Sequence, residues 1–451
     1  MTDVSTHYKK ATTLIEVDNA VRFDVPITDT HEFFVDFSDV RGDFEDRMIY
    51  KTLNVNPRTF VFNRAANRGN KTLLFLAGMR GSGKTSELSK IAHKLHNPNC
   101  FFCVACNLDD GLDVNDTEYM DILIFQLERL FEELQAKKVK VDIAIIKSLQ
   151  KWFGERIDEV NKVIKKEGGF EVEIEAKTPS LLSFLGIVAK LKGSLTGSKE
   201  NAQKIRQVFK NNFTDFANKI NEFFEQVNLV LRQNKLAEEL LFIVDGLEKI
   251  ATKDIRQKLI EEESNRIRQV KVNTIFTLPI ELMPIRQKLI AFSTVVSFPF
   301  VKIKEKNGAE VPEAIARFTE FIHKRIDTSL FDSPETVQKA IQYGGGSPRE
   351  LLRVLEYANL FADDEKGIIE MRALDQGIKK LAAETAQYVS MADLEKLKVL
   401  KENNEKGIPT PFDQDWQDLL EKLIVMEYND GTYKRVHPIV EASDLYKHYV
   451  G

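Results

Sequence analysis

The chain has 451 residues, of which 43% are hydrophobic and 29% are charged, with 22 glycines and 13 prolines. This is ordinary globular usage over a length that suggests roughly three domains, so a collagen-like or wholly disordered chain is excluded. The 64 basic and 69 acidic residues leave a net charge of -5. A weakly acidic chain is not a general binder of polyanions, so any nucleic-acid surface must be a local patch.

Cysteine usage and hydropathy indicate the compartment. The three cysteines, Cys100, Cys103 and Cys106, are closely spaced and odd in number, which is not a disulfide framework and favours a reducing interior. The N-terminus lacks the apolar region of a signal peptide. The longest apolar run, Leu181–Ala189, is far shorter than the roughly 20 residues that cross a bilayer. We expect a cytoplasmic protein with no membrane as a partner, in which this run packs within its own segment. The alternative is a hairpin that touches a membrane or docks on a partner.

Short apolar runs separated by helical patterns predict a parallel sheet covered by helices on both faces, that is, a three-layer α/β domain. This domain is expected over residues 61–305, after an N-terminal segment of residues 1–60 that includes a helical pattern near Arg41–Tyr50. The predicted strands are Leu73–Ala77, Cys100–Cys106, Leu240–Val244, Thr274–Leu278 and Val295–Ile303.

The rest of the chain is mainly helical in pattern. Residues 112–238 predict a mostly helical insertion in the α/β domain, with one short exposed strand in the alternating segment Gly168–Glu175. Residues 306–388 predict helices only, and residues 389–451 a small helical module closed by a hairpin that turns at Asn429–Gly431. The helices predicted in the insertion are Tyr119–Gln135, Val141–Ile164 and Lys204–Asn234.

The strongest motif is Gly78-Met-Arg-Gly-Ser-Gly-Lys-Thr85, which fits G-x-x-x-x-G-K-[ST] between a predicted strand and a predicted helix. Its glycines let the backbone N–H groups curl around phosphate oxygens, and the helix adds its positive end. Lys84 is expected to reach the β- and γ-phosphates, and Thr85 to ligate Mg²⁺. Predicted nucleotide contacts of this loop are Gly78, Arg80, Gly81, Ser82, Gly83, Lys84, Thr85 and Ser86.

A second motif is the apolar strand that ends in Asp245, with Glu248 three residues later. The carboxyl end of a parallel strand lies where ligands of open α/β sheets bind, so Asp245 is a predicted partner of Mg²⁺. Glu248 is a candidate to orient or deprotonate the attacking water, or else a solvated residue of a first helical turn. Thr277, at the end of the next strand, is placed either to touch the γ-phosphate or the attacking water, or to bond the backbone. Thr274 or Asn273 would serve as alternates in the first role.

A third motif is Gly344-Gly-Gly-Ser-Pro-Arg349, whose glycines end one helix and whose Ser-Pro pair starts another. Arg349 falls in the first turn, where a cation is unfavourable for the helix dipole. This position favours an external anion as its partner, although a surface arginine is the simpler interpretation.

In this order the P-loop, the acidic strand, the polar strand end and the Gly-Gly-x-x-Arg segment resemble the AAA+ ATPases. The likeness is to the origin-recognition and replication-loader branch and to the related STAND signalling ATPases. Asp245-Gly-Leu-Glu248 resembles the STAND form of the acidic motif, and Val40-Arg41-Gly42 resembles the segment that lines the adenine pocket in both groups. The resemblance covers residues of about 30–110 and 238–451.

The resemblance implies that residues 306–388 form a helical lid and residues 389–451 a winged-helix-like module. It also implies ATP and Mg²⁺ as cofactors, with Thr277 as a sensor and Arg349 as the lid arginine. No inter-subunit arginine finger is obvious; Arg266 and Arg268 are candidates, and solvated helix ends are the simpler interpretation. By this resemblance, six residues are expected to bind, hydrolyse or sense the nucleotide: Lys84, Thr85, Asp245, Glu248, Thr277 and Arg349.

These features predict an ATP-hydrolysing switch that couples nucleotide state to homo-oligomerisation or to activation of a protein effector, in a bacterial defence setting. The alternative is an ATP-dependent DNA-binding initiator or loader. In that case basic residues of the C-terminal module, such as Tyr433-Lys-Arg435 on the hairpin, would contact phosphate. A third interpretation is a scaffold that holds nucleotide without hydrolysing it.

His93, His96 and the three cysteines also invite a metal-site interpretation. Side chains three apart on a strand point to opposite faces, so Cys100 and Cys103 are not expected to share one ion. Small buried cysteines in a core strand explain the pattern better.

Overall fold

The computed structural model describes residues 8–23, 26–42, 44–67, 71–166, 180–410 and 414–451. The strands are β1 Leu73–Gly78, β2 Phe101–Asn107, β3 Glu239–Asp245, β4 Asn273–Pro279, β5 Thr294–Ser297, β6 Val425–Tyr428 and β7 Tyr433–Val436. The first helices are α1 Leu14–Ala20, α2 Asp46–Thr52, α3 Arg64–Asn67, α4 Lys84–Leu95, α5 Tyr119–Ala136, α6 Ile143–Lys166, α7 Leu181–Gly197, α8 Lys199–Asn211, α9 Phe213–Gln233, α10 Lys253–Glu261, α11 Ser264–Gln269 and α12 Arg286–Ile290. The remaining helices are α13 Pro312–Arg325, α14 Pro334–Gly344, α15 Pro348–Leu360, α16 Met371–Ala386, α17 Met391–Lys406, α18 Gln414–Glu421, α19 Pro438–Ala442 and α20 Asp444–Tyr449.

Five strands form one parallel sheet in the order β2-β3-β4-β1-β5. Strand β4 therefore lies between the strand that leads into the P-loop and the strand that ends in Asp245. Because the strands are parallel, their carboxyl ends meet at one edge, which is where the P-loop, Asp245 and Thr277 are brought together. The predicted fifth strand is too long: it ends at Ser297, and its continuation contains Pro299, which has no N–H for a ladder.

Helices cover both faces of the sheet, so the α/β fold has three layers. Leu74, Leu241 and Ile275 pack with α2 and α4 on one face. Phe75 and Phe242 face the other way, into a core shared with α5 and α9. The period-2 alternation of buried side chains thus sends each strand's apolar residues into two cores. The segment predicted as an insertion accordingly includes two helices, α5 and α9, that form one layer of the domain.

Helices α6, α7 and α8 stack on the outside of α5 and α9. Their contact is rich in aromatic rings: Trp152 stacks on Phe216 with centroids 5.2 Å apart, and Phe153 meets Phe184 edge-on at 5.1 Å. The predicted single helix Lys204–Asn234 is wrong, because the chain breaks at Asn212 into α8 and α9. The predicted strand Gly168–Glu175 lies outside the described residues.

The apolar run Leu181–Ala189 forms the first part of α7. Its Phe184, Ile187 and Val188 are buried in the same core as α5. The run therefore packs within its own segment, as the simpler interpretation had it. No helix in the part of the chain that the structure describes is both long enough and apolar enough to span a membrane.

Helices α13 to α16 form a bundle whose core includes the N-terminal segment. Ala11, Val17 and Phe37 are buried with Phe318 and Leu355 of the bundle. The chain is also tied there by backbone hydrogen bonds, from Ala11 N to the Arg325 carbonyl at 2.8 Å and from Asp327 N to the Ala11 carbonyl at 2.8 Å. Residues 8–23 and 26–42 thus belong structurally with a bundle that follows them by almost 300 residues.

The C-terminal module consists of α17 to α20 and the antiparallel pair β6-β7, whose register joins Tyr428 to Tyr433. The hairpin turns at Asn429–Gly431, as predicted. The module packs directly on the α/β domain: Met79 of the P-loop is buried in one cluster with Ile280, Phe300 and Met426. The hairpin therefore lies against the loop on which nucleotide binding is predicted.

Candidate active site

The P-loop connects β1 to α4 through a turn that needs glycine at two points. Gly81 and Gly83 have φ of +82° and +94°, in the left-handed region that L-residues with a side chain rarely adopt. Gly83 is also the N-cap residue of α4. Backbone N–H groups at the start of α4 consequently face the loop, which is the arrangement that binds phosphate.

Lys84 lies inside this loop with its side chain buried. Its Nζ donates hydrogen bonds to the carbonyls of Gly78 at 2.9 Å and Met79 at 3.0 Å. The same atom lies 3.7 Å from Oε1 of Glu248. The ammonium group is thus held at the mouth of the loop, with one carboxylate in ion-pair range.

Thr85 and Asp245 meet across the carboxyl edge of the sheet, although 160 residues separate them in sequence. The Thr85 hydroxyl donates to Oδ2 of Asp245 at 2.5 Å. Oδ1 of Asp245 is buried and has no hydrogen-bond partner among the described residues. Burial, reinforced by the nearby Glu248 carboxylate, raises the pKa of Asp245.

This pair of oxygen ligands fits the Mg²⁺ ion that P-loop domains usually require. Hydroxyl and carboxylate oxygens are the donors that Mg²⁺ prefers, and the free Oδ1 of Asp245 is available for one. A cation there would also remove the repulsion that raises the pKa of Asp245. Thr85 and Asp245 are therefore the residues that would hold the ion.

Glu248 is placed by a tight turn after β3. Gly246 has φ of +101°, and Leu247–Lys249 form one turn of 3₁₀ helix. Burial opposes ionisation of the Glu248 carboxylate, but the charge of Lys84 and hydrogen bonds from the backbone and from Thr277 outweigh it, so its pKa is lowered. Its Oε2 is buried and unpaired among the described residues, so an ionised acceptor is available in the site.

Thr277 is fully buried, and its hydroxyl serves the neighbouring turn. Its Oγ1 accepts hydrogen bonds from Gly246 N at 3.1 Å and from Leu247 N at 3.4 Å. The hydroxyl also helps to lower the pKa of the Glu248 carboxylate. Of the two alternatives from the sequence, the structure therefore displays backbone bonding, while contact with a phosphate stays a prediction.

Arg349 lies against the P-loop, although it belongs to the bundle. Its Cβ is 3.1 Å from the point where a Cβ on Gly81 would stand, so Gly81 permits this close approach. Ser347, the N-cap residue of α15, donates to the Gly81 carbonyl at 3.1 Å. Burial and the neighbouring charge of Arg80 lower the pKa of Arg349, which means that two cations converge at the loop.

A cavity of about 420 Å³ opens beside this group of charges. It lies between the P-loop, the turn after β3 and the C-terminal module, and Arg80 and Glu248 line it. Arg256 lines the far side, where it pairs with Glu281 at 2.6 Å and with Glu421 of the module at 2.7 Å. The C-terminal module is therefore one wall of the cavity next to Glu248.

A second cavity, of about 60 Å³, lies on the other side of the P-loop. Its walls come from the N-terminal segment, the start of α4 and the bundle. The residues lining it are Ile27, Phe33, Phe34, Val35, Phe37, Arg41, Gly83, Ser86, Glu87, Phe321, Arg325 and Pro348. This places Ser86 and Arg41 of the predicted set at one hollow, while Val40 lies instead in the core of the bundle.

Arg41 holds the P-loop from behind. Its guanidinium donates to the Ser82 carbonyl at 2.7 Å and to the Pro299 carbonyl at 2.8 Å, and stacks over Phe298 at 4.0 Å. Burial lowers its pKa to about 10, still far above neutrality. Arg41 is therefore a charged brace of the loop as well as a wall of the smaller cavity, a role that the sequence did not reveal.

Glu87 and Lys90 form a charged network beside the smaller cavity that the sequence analysis missed. The Lys90 ammonium lies 2.6 Å from Glu87 and 3.0 Å from both Asp36 and Asp46. It thereby ties α4 to the N-terminal segment. Only the i, i+3 spacing of Glu87 and Lys90 was visible in the sequence; the two aspartates come from distant positions.

The candidate arginine fingers are engaged within the chain. Arg266 pairs with Glu263 at 2.5 Å and lies over the ring of Phe213, and Arg268 lies over Phe292 at 5.6 Å. Contact with a second subunit remains a prediction for both.

The expectation that Cys100 and Cys103 point to opposite faces of one strand is wrong. Strand β2 begins at Phe101, so Cys100 precedes it, and Cys100 and Cys103 contact the same core instead of opposite faces. Burial raises the pKa of Cys100 to about 12 and that of Cys103 as well, which disfavours the thiolates that metals bind. Within the described ranges, no three histidine, cysteine or acidic side chains gather in a way that could hold a metal ion.

A parallel sheet with a phosphate-binding loop after β1 and acidic side chains after β3 defines a P-loop NTPase domain. Consistent with this class, residues 48–261 match the profile of the KAP family P-loop domain, which supports nucleotide binding and nucleoside triphosphate hydrolysis. The match includes the P-loop, Asp245 and Glu248 and ends before β4, and it does not select the AAA+ or STAND branch. No curated protein matches the chain.

Proposed function

We propose that this protein is an Mg²⁺-dependent ATPase that works as a conformational switch of the AAA+ or STAND type. The observation that carries the proposal is the meeting of Thr85 and Asp245 at 2.5 Å, with a free buried Oδ1 on Asp245 and the ionised Glu248 beside it. These are the groups that triphosphate hydrolysis needs, in one place.

The P-loop and the smaller cavity support a placement for the two ends of the nucleotide. The triphosphate would follow the P-loop toward Lys84 and Arg349, where positive charge converges. The base would occupy the smaller cavity between Phe33, Arg41 and Pro348. Adenine is favoured because the sequence has no Asn-Lys-x-Asp guanine motif. The bundle would have to move outward to admit a ligand that is larger than this cavity of about 60 Å³.

In hydrolysis the chain's own groups have separate tasks. Glu248, kept ionised by Lys84 and Thr277, would orient the attacking water and accept its proton. Lys84 and Arg349 would stabilise charge on the γ-phosphate. Thr85 and Asp245 would hold Mg²⁺, which neutralises charge on the phosphates when bound.

The switch is proposed from contacts that join the P-loop to the bundle and the C-terminal module. Ser347 bonds Gly81, Val301 N donates to the Gly346 carbonyl at 3.2 Å, and Met79 is buried under the hairpin. A nucleotide that changes the loop would therefore change how these parts dock. We infer that the bundle acts as a lid and that the winged-helix-like module transmits the change to a second copy or an effector, in the defence setting that the resemblance implies.

The DNA-loader alternative is less favoured by the hairpin's contacts. Lys434 pairs with Glu427 at 3.2 Å and donates to the Gly431 carbonyl at 2.6 Å. Arg435 faces Glu441. The basic residues expected to meet phosphate are thus turned toward the protein. ATP-dependent duplex binding that weakens steeply with salt would restore the alternative.

The proposal is tested with Lys84→Ala and Glu248→Gln, and with Lys94→Ala as a control on the same helix. Calorimetry should show that Lys84→Ala loses ATP binding, and turnover assays that Glu248→Gln binds ATP but hydrolyses it at least about 100-fold more slowly. Lys94→Ala should match the wild type. Light scattering with a non-hydrolysable analogue should then show a change of mass. ATP affinity unchanged by Lys84→Ala would refute the nucleotide site, and an unchanged mass would refute switching by self-assembly.

A further inference from the structure

A third cavity, of about 230 Å³, lies away from the P-loop at the junction of three parts of the chain. Its walls are the segment after β5, the end of α14 and the hairpin with α19 and α20. The lining residues are Ile303, Lys304, Gln342, Tyr343, Gly345, Tyr428, Tyr433, Arg435, Pro438, Glu441, Ala442 and Lys447. None of them belongs to the nucleotide site described above.

The charge of this cavity is positive. Lys304, Arg435 and Lys447 line it, and Glu441 carries the one carboxylate among its described lining residues. The Arg435 guanidinium lies 3.8 Å from Glu441, which is beyond hydrogen-bond distance. Burial raises the pKa of Glu441, and the charges of Arg435 and Lys304 oppose that shift. One acid against three cations leaves the hollow suited to an anion.

The same cavity is also aromatic. Tyr343, Tyr428 and Tyr433 line it, and the rings of Tyr428 and Tyr433 lie 5.6 Å apart. The Tyr428 hydroxyl donates to the Gly345 carbonyl at 2.6 Å, which fixes its ring at the junction. Fixed rings beside cations bind flat ligands that carry negative charge.

We propose that this junction cavity binds a small anionic ring compound, such as a nucleoside monophosphate or an aryl phosphate. The ring packs against Tyr343 and Tyr433, and the anion faces Lys304 and Arg435. A small ligand is favoured over duplex DNA because the cavity is concave and Tyr433 is only 7% exposed. Such a ligand joins the hairpin to the end of α14, three residues before Ser347.

Occupation of the junction cavity is expected to stabilise the docking of the C-terminal module. Gly345 lies at the contact: a Cβ there would stand 2.6 Å from Met426 and 3.1 Å from Pro438. Ser347, two residues further along the chain, bonds the P-loop. An effect on ATP turnover rests on the proposed function, whereas binding in the cavity does not.

The test uses the full chain carrying Lys84→Ala, which disables the P-loop site, and adenosine monophosphate, phenyl phosphate and inorganic phosphate as probes. Calorimetry should detect the two ring compounds, and inorganic phosphate more weakly. Arg435→Gln should reduce affinity about tenfold, Glu441→Gln should increase it, and Lys398→Gln, exposed on the same module, should leave it unchanged.

The proposal is supported if Arg435→Gln lowers the affinity for the ring compounds and Glu441→Gln raises it. Absence of binding by both ring compounds at millimolar concentration overturns it. Equal affinity of Lys84→Ala chains with and without Arg435→Gln overturns it too, as does duplex DNA binding that Arg435→Gln abolishes. ATP turnover is measured separately on the chain that keeps Lys84. Turnover there with no ring binding in the Lys84→Ala chain would refute the cavity alone, and ring binding with no turnover would refute the proposed function alone.

Discussion

Replacing Thr277 by valine separates two roles for this residue, which are bracing the turn that carries Glu248 and contacting the γ-phosphate. Valine keeps the shape of threonine but removes the hydroxyl that accepts from Gly246 N at 3.1 Å and from Leu247 N at 3.4 Å. Both N–H groups are in the buried turn that carries Glu248. Leaving a buried donor unsatisfied costs about 1–3 kcal/mol, so the free energy of unfolding should fall by that amount.

The matched control is Thr274→Val on the same strand. The Thr274 hydroxyl is buried but makes one long bond, to the Val272 carbonyl at 3.4 Å. Its loss should lower the free energy of unfolding by about 0.5 kcal/mol or less. Urea unfolding followed by circular dichroism measures the free energy of unfolding of both variants. The difference between the two values isolates the contribution of the two hydrogen bonds that the Thr277 hydroxyl accepts.

The Thr277 variant should also change the pH dependence of ATP turnover. Burial acts to raise the pKa of Glu248, and the Thr277 hydroxyl is one of the groups that bring it below the usual value. Removing the hydroxyl raises that pKa, so Glu248 is protonated at a higher pH and the acid limb of kcat moves upward. A looser Glu248 should also lower kcat roughly 10- to 100-fold at neutral pH.

Two results would contradict the bracing role of Thr277. If Thr277→Val unfolds like the wild type but loses discrimination between ATP and ADP, the hydroxyl acts on the γ-phosphate and the bracing role is wrong. If Thr274→Val is equally destabilised, the loss is general to the strand.

Two other substitutions test the docking and the cation site. Gly346→Ala would place its Cβ 1.8 Å from the Val301 carbonyl oxygen, at a φ of +86°. It should therefore undock the bundle, expose the 301–306 region to proteolysis and stop ATP turnover. Gly367→Ala is the control, because Gly367 has a φ of +68° but open space around it, so this variant has the backbone strain alone. Equal proteolysis of the two would contradict the role of the close contact. Asp245→Asn removes the charge that faces Thr85 and should reduce turnover at least about 100-fold while ATP still binds, with the Mg²⁺ needed for half-maximal turnover increased. Turnover that keeps its normal Mg²⁺ dependence in this variant would remove Asp245 from the cation site.

The P-loop edge of the fold was predictable from sequence because its signals are local. Apolar runs place the strands, two glycines with positive φ shape the loop, and Asp245 is the last residue of its strand. Parallel strands align their carboxyl ends, so the meeting of Thr85 and Asp245 follows from the topology.

The contacts missed from the sequence are those between distant segments. Nothing near Arg41 shows that its side chain reaches the Ser82 carbonyl, and nothing near Asp36 shows that it pairs with Lys90. The break at Asn212 was also missed, because the helical period continues across it and tertiary packing decides the turn. Long-range pairing depends on the fold as a whole, which a local pattern does not contain.

The shared core of the N-terminal segment and the bundle has a mechanical consequence for the smaller cavity. Phe33 and Arg325 belong to that body, while Gly83 and Ser86 belong to the α/β domain. Val40 and Val301 lie in the core of the bundle, whereas Phe44 and Phe298 lie in a core of the α/β domain, so the chain passes between the two bodies at two places. A rotation there would carry one wall of the cavity away from the other, so a base bound between the walls would link the two bodies in addition to the bond from Ser347 to Gly81.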